Sequence, residues 1–203
     1  MKKLMLLVLL FVLGAGCSKP SPQAPEGLPG IPLEIDPTLA IQGANGQGGH
    51  ACPVNDYVIT ADHVLWDKER RTYTQATYSD GYGANGVAMV IGGYGAVDLV
   101  ILEILGDDVI YLPSGVGRIN EKVYWFEYDF RSQKNALRAR RRFAHILREV
   151  AGHYILDEMP VGGSSGSCLL NSEGQVIGMI VAGWETDDGL GVGSAIKLPE
   201  GLK

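Results

Sequence analysis

The chain has little that would tie it to nucleic acid, to a metal or to a bilayer-spanning helix. Seventeen Lys and Arg stand against 23 Asp and Glu, a formal net charge of -6, and that balance argues against a general nucleic-acid binder. Of the four histidines, His50, His145 and His153 show no metal-ligand spacing. Asp187 and Asp188 lack the spacing of a calcium loop and read as a solvated turn. No metal and no cofactor is expected. No repeat of solenoid period occurs, and the apolar run Leu4–Leu13 holds ten residues, about half of what a spanning helix needs. Cysteine is scarce as well, with only Cys17, Cys52 and Cys168. From about Ala44 onward the chain is long enough to bury one core without a metal or many bridges.

What is present begins at the amino end. Lys2 and Lys3 precede the Leu4–Leu13 run, and small residues follow up to Cys17, which is the order of a secretory signal. The end "GAGC" resembles a bacterial lipobox, with Gly14 where Leu is usual and Leu13 one place earlier. The resemblance implies cleavage before Cys17 and a lipid on it. With Ser18 next, it also implies sorting to the outer membrane of a two-membrane bacterium; plain secretion is the alternative. Pro20, Pro22, Pro25, Pro29, Pro32 and Pro37 make the following stretch an extended tether, or an arm laid on the domain through "IPLEI". The organisation expected is a signal peptide over 1–16, a tether over 17–46 and one domain over 47–203.

In that domain, "YVITADHVL", "VAMVIGGYG", "VDLVILEI", "VYWFEYDF", "HYILDEM", "QVIGMIVAGW" and "GSAIKL" are short runs rich in Val, Ile and aromatics, separated by turn residues. They predict an all-β barrel or sandwich. "RRRFAHILREV" fits a strand or a helix, since Phe143, Ile146, Leu147 and Val150 fall at helical spacing. Its basic run, with Arg138, Arg140, Arg141, Arg142 and Arg148, reads as a solvated face; contact with an anionic lipid or wall polymer is the sharper alternative.

Three segments carry chemistry. His63 ends a β-branched run in "VITADHVL", Asp98 opens an apolar strand in "GYGAVDLVILEI", and Ser165 lies among small residues in "GGSSGSCLLNSEGQVIGMIVAG". A neutral serine hydroxyl is a weak nucleophile; it needs an imidazole to take its proton and a carboxylate to orient that imidazole and stabilise its cation. His, Asp and Ser complete that set, in one of the chain orders known for it. Asp62 adjoins His63 but should point away from the ring, and Asp80 in "SDGYG" reads as a turn.

These segments resemble the chymotrypsin-like serine proteases, and among them the bacterial high-temperature-requirement type; "GVGSAIKLP" is similar to their last strand. The likeness runs over about residues 48–200, weakest over 113–155. It implies two six-stranded antiparallel barrels, about 47–112 and 113–203, with the site in the cleft between them. It assigns Ser165 as nucleophile, His63 as general base and then acid, Asp98 as the orienting carboxylate, and the N–H groups of Gly163 and Ser165 as the oxyanion hole. Met159, Val181, Ala182 and Gly183 would line the specificity pocket and favour small or medium apolar side chains. The substrate implied is a protein or peptide.

Departures matter too. Ser164 stands where digestive relatives carry Asp, so activation by a new amino terminus is not expected. Val64 replaces the Cys usual after the His. With Cys17 lipidated, Cys52 and Cys168 remain as an even pair in a compartment that permits disulfides, either bridged or as two buried thiols. No binding module of the kind that follows such protease domains is expected after Lys203. Two other classes compete: a catalytically silent lipoprotein that binds peptides or a protein in the same cleft, and an esterase using the same three residues. The lack of α/β alternation around Ser165 disfavours the usual esterase scaffold.

Overall fold

The computed structural model describes residues 36–127 and 140–202, apart from Asn45, Gly81 and Gly95. The expected signal peptide, the Cys17 lipid site, the tether up to residue 35 and Arg138 lie outside the described residues.

The apolar and alternating runs pair as antiparallel strands. β1 (Leu39–Gly43), β2 (Gly48–Val54), β3 (Tyr57–Thr60), β6 (Ala76–Ser79), β7 (Asn85–Tyr94) and β8 (Leu99–Gly106) close into one barrel in the order β1-β2-β3-β8-β7-β6. A minor hairpin, β4 (Trp66–Asp67) with β5 (Thr72–Tyr73), and a single helical turn, α1 (Asp62–Leu65), interrupt it. The second barrel orders β10 (Arg140–Val150), β11 (His153–Leu156), β14 (Gly191–Lys197), β13 (Val176–Glu185), β12 (Cys168–Leu170) and β9 (Lys122–Glu127). Closure removes the free sheet edges that would otherwise invite aggregation.

One expectation is corrected and one open alternative is settled. The tether is shorter than 17–46, because Leu39–Gly43 pairs with both β2 and β6 as a stave of the first barrel. Leu39 and Ile41 are each 1% exposed, and burying such side chains favours the barrel over an extended arm. The ambiguous "RRRFAHILREV" is strand β10, bonded to β9 on one side and β11 on the other. Of its four residues at helical spacing only Ile146 is buried; Phe143, Leu147 and Val150 are about half exposed. The working period is two, with Ala144 and Ile146 inward, until a bulge between Ile146 and Arg148 shifts the register. Its hairpin to β11 turns on Ala151 and Gly152, both at positive φ, as a tight two-residue turn requires.

Two apolar clusters fill the molecule. One lies inside the second barrel around Trp125, Ile146, Tyr154 and Ile180. The other begins in the first barrel and continues through Tyr124, Phe126, Cys168 and Met179 of the second, so the barrels share a core at their junction. There Cys52 of β2 and Cys168 of β12 form a disulfide across 116 residues of sequence, with Cα atoms 4.9 Å apart.

Candidate active site

The junction is where the singled-out residues converge. After β3, α1 lifts His63 to the rim, and the residues before β8 bring Asp98 beneath it. The contact has two points: the His63 backbone N–H donates to Asp98 Oδ1 at 3.0 Å, and His63 Nδ1 lies 2.6 Å from Asp98 Oδ2. This fixes the ring with Nδ1 toward the carboxylate and leaves Nε2 available as a base. The bond to Asp98 raises the His63 pKa above its ordinary 6.5, against the opposing effect of burial. Burial alone would raise Asp98, yet the bonds from the His63 ring and backbone hold it below its ordinary value. Asp62 turns elsewhere, accepting from the Tyr73 hydroxyl at 2.7 Å, and Asp80 accepts from the N–H groups of Tyr82 and Ala84 in its turn.

The second barrel supplies the serine. Ser164 N–H bonds to the Val161 carbonyl at 3.1 Å and Ser167 N–H to the Ser164 carbonyl at 3.0 Å, so residues 161–167 form two consecutive tight turns. Gly163 and Gly166 sit at φ +97° and +92°, a region that disfavours any side chain. At Gly166 space is also lacking, since a Cβ would lie 1.8 Å from the His50 carbonyl oxygen. The His50 N–H donates to the Ser165 carbonyl at 2.8 Å, which pins the turn to the first barrel. The Ser165 hydroxyl donates to the Val181 carbonyl at 3.2 Å. Hydroxyl and ring come from different barrels, and the hydroxyl's donor bond is spent on Val181.

Met159 lies against the wall expected of the pocket. A Cβ on Gly183 would meet Met159 Cγ at 2.7 Å, and one on Gly191 would meet Met159 Cβ at 3.0 Å. Val181 is buried, while Ala182 and Gly183 are exposed. The nearby acids are engaged: Asp157 accepts from the His145 N–H and faces its ring, and Glu158 pairs with Arg142. Arg142 thus leaves the solvated basic face expected of its run. Beside the dyad lies a cavity of about 340 Å³ lined by Asp62, Trp66, Tyr73, Tyr94, Val97 and Leu99, among others.

Three residues here carry no motif in the sequence. Gly191 faces Met159, as Gly183 does. His50, fully buried, supports the serine turn with its backbone; burial, opposed by a bond to the Gly163 backbone, lowers its pKa to about 4 and keeps it neutral. Glu127, 5% exposed, reaches the same turn. A charged residue closing the apolar run "VYWFE" was the available signal for it.

Two closed six-stranded barrels, with a His–Asp pair on one and a serine turn on the other, define the chymotrypsin-like fold. Residues 45–179 match the trypsin-like peptidase domain family, and the chain belongs to that family. Among solved structures it is similar to the serine endoprotease from Yersinia pestis, with 19% identity and a TM-score of 0.65 over 80% of this chain and 59% of that one. A Glu endopeptidase in complex with MPD matches at 12% identity and TM-score 0.68, over 84% and 88% of the two chains. The HtrA-type protease AlgW with a decapeptide matches at 21% and 0.59, over 73% and 47%. The chain therefore spans only about half the length of the Yersinia pestis endoprotease and AlgW chains. A search of curated protein sequences finds no match.

Proposed function

We propose that the protein is a serine endopeptidase that cuts peptide bonds through an acyl-enzyme, with His63, Asp98 and Ser165 as its triad. The observation that carries this reading is the two-point bond between His63 and Asp98, set at the barrel junction to which the Ser165 turn is pinned. In the first step His63 Nε2 takes the Ser165 proton as Oγ attacks the carbonyl carbon. The oxyanion is received by the N–H groups of Gly163 and Ser165, and the imidazolium is stabilised by Asp98. Collapse of the intermediate breaks the C–N bond as His63 returns the proton to the leaving amine. Water, deprotonated by His63, then releases the acyl group. No metal enters these steps.

Met159 against Gly183 and Gly191 supports a short, apolar primary pocket, and Glu158, the acid next to Met159, is tied to Arg142. The substrate class is an unfolded or extended protein segment with a small or medium apolar residue before the cut. The location we assign is the cell envelope, held by a lipid on Cys17. Hydrolysis of an unfolded protein by the purified domain, lost in Ser165→Ala, tests the activity. Peptide products ending mainly in Arg or Lys would overturn the pocket reading. Loss of lipid labelling in Cys17→Ser of the full chain tests the anchor.

A further inference from the structure

A buried carboxylate that takes no part in the chemistry above touches the segment that carries the nucleophile. Resting on the peptidase reading, we propose that Glu127, held by Arg142, is a positioning residue that keeps the oxyanion turn in its working shape from the moment the chain folds, with no activation cleavage.

Glu127 closes β9 at 5% exposure. Its Oε1 accepts from Trp125 Nε1 at 3.0 Å, from the Val161 N–H at 3.2 Å and from the Ser164 hydroxyl at 3.3 Å. Its Oε2 faces Arg142 Nε at 3.8 Å, and Arg142 also pairs with Glu158. A carboxylate withdrawn from water is costly unless donors and a countercharge surround it. Here two of the three donors to Oε1 belong to the turn itself. Displacing residues 161–164 would strip Glu127 of half its compensation, so the buried charge favours one turn geometry over others.

The neighbouring residue of β9 acts on the other end of the turn, since the Ser167 hydroxyl donates to the Phe126 carbonyl at 3.0 Å. Phe126 and Glu127 thus grip residues 161–167 from within the second barrel, and the His50 N–H holds Ser165 from the first. Gly163 and Ser165, the proposed oxyanion donors, lie between these anchors. Position 164 is Ser, which donates to Glu127 and brings no carboxylate of its own to the turn. The carboxylate that fixes the turn stands on β9 and its cation on β10, so both are supplied by the fold.

The test compares Glu127→Leu and Glu127→Gln in the folded domain by three readouts: the rate of fluorophosphonate labelling, hydrogen exchange of residues 161–167, and the thermal midpoint. Glu127→Leu should slow labelling by about 100-fold, the scale of losing one oxyanion donor, and speed exchange in 161–167 beyond that of β1 to β3. KM for a peptide should change little, because the turn acts on the transition state. Glu127→Gln keeps an acceptor oxygen and should recover labelling to within about tenfold of the native rate. Unaltered labelling and exchange in folded Glu127→Leu would overturn the proposal. So would exchange that rises equally throughout both barrels with no recovery in Glu127→Gln, which would mark a general support of the fold. If the native domain does not label at all, the peptidase reading fails; exchange in 161–167 still decides on Glu127.

Discussion

Among the described residues two His–Asp pairs have nearly identical build. His63 reaches Asp98 through its backbone N–H at 3.0 Å and Nδ1 at 2.6 Å; His145 reaches Asp157 through the same two atoms at 2.6 and 3.0 Å. Their side chains are similarly exposed, 47% and 34% against 53% and 38%. Neither bond geometry nor burial tells them apart. Their surroundings do: the first pair stands at the barrel junction, whereas His145 stands on β10 across from Lys122. An oriented imidazole is a common device, and it becomes a catalytic base only where a nucleophile and oxyanion donors are held beside it.

The sharpest way to break this comparison is to remove each imidazole in turn. His63→Ala should cut the acylation rate by about 10⁶, as loss of a triad base does, while His145→Ala should label at the native rate. Equal losses would place the chemistry elsewhere. Next come the carboxylates: Asp98→Asn should cost about 10⁴, because the amide favours the wrong imidazole tautomer, and Asp157→Asn should cost nothing measurable in a rate assay.

pH sharpens the same contrast. His63 must be neutral to take a proton, and its bond to Asp98 raises its pKa above 6.5, so the labelling rate should fall as pH drops through a value above 6.5. In Asp98→Asn that limb should move down, and in Asp157→Asn it should stay. The linked stability has the matching sign: the pair's contribution is full between the ordinary carboxylate value and 6.5, is lost as pH rises through the raised His63 value, and is lost again as pH falls through the lowered Asp98 value. A pH series of labelling rates and of thermal midpoints checks both.

Smaller effects probe what fixes one half of the site to the other. The Cys52–Cys168 bridge joins the barrels three residues beyond Ser165, and replacing both cysteines with Ala should lower stability by about 2 to 5 kcal/mol in denaturant unfolding. Smallest is Met159→Ala, which should shift the preferred residue toward larger apolar side chains by about tenfold in kcat/KM; an unchanged peptide-library profile would remove Met159 from the pocket.

Much of the architecture was legible because barrel strands write themselves as short β-branched runs between turn residues. The triad candidates were legible because each sits at the end of such a run or in a bare turn. What escaped depends on partners distant in sequence. β10 carries a helical spacing, but pairing with β9 and β11 overrides it. Leu39–Gly43 follows six prolines and still enters the barrel, since β2 and β6 leave a place that only an apolar strand fills. Arg142 reads as part of a solvated basic face and Glu127 stands out only as a charge after an apolar run, because their partners Val161 and Ser164 lie far along the chain.

Activation of Ser165 by His63 across the barrel junction is open to a direct test. The most direct measurement is fluorophosphonate labelling of the purified domain, with the adduct located by peptide mass spectrometry and Ser165→Ala and His63→Ala run beside it. One adduct is expected, on Ser165, absent from both variants. A folded domain that takes no label, or one labelled equally in His63→Ala, would contradict it and leave a barrel junction that binds peptides without cutting them.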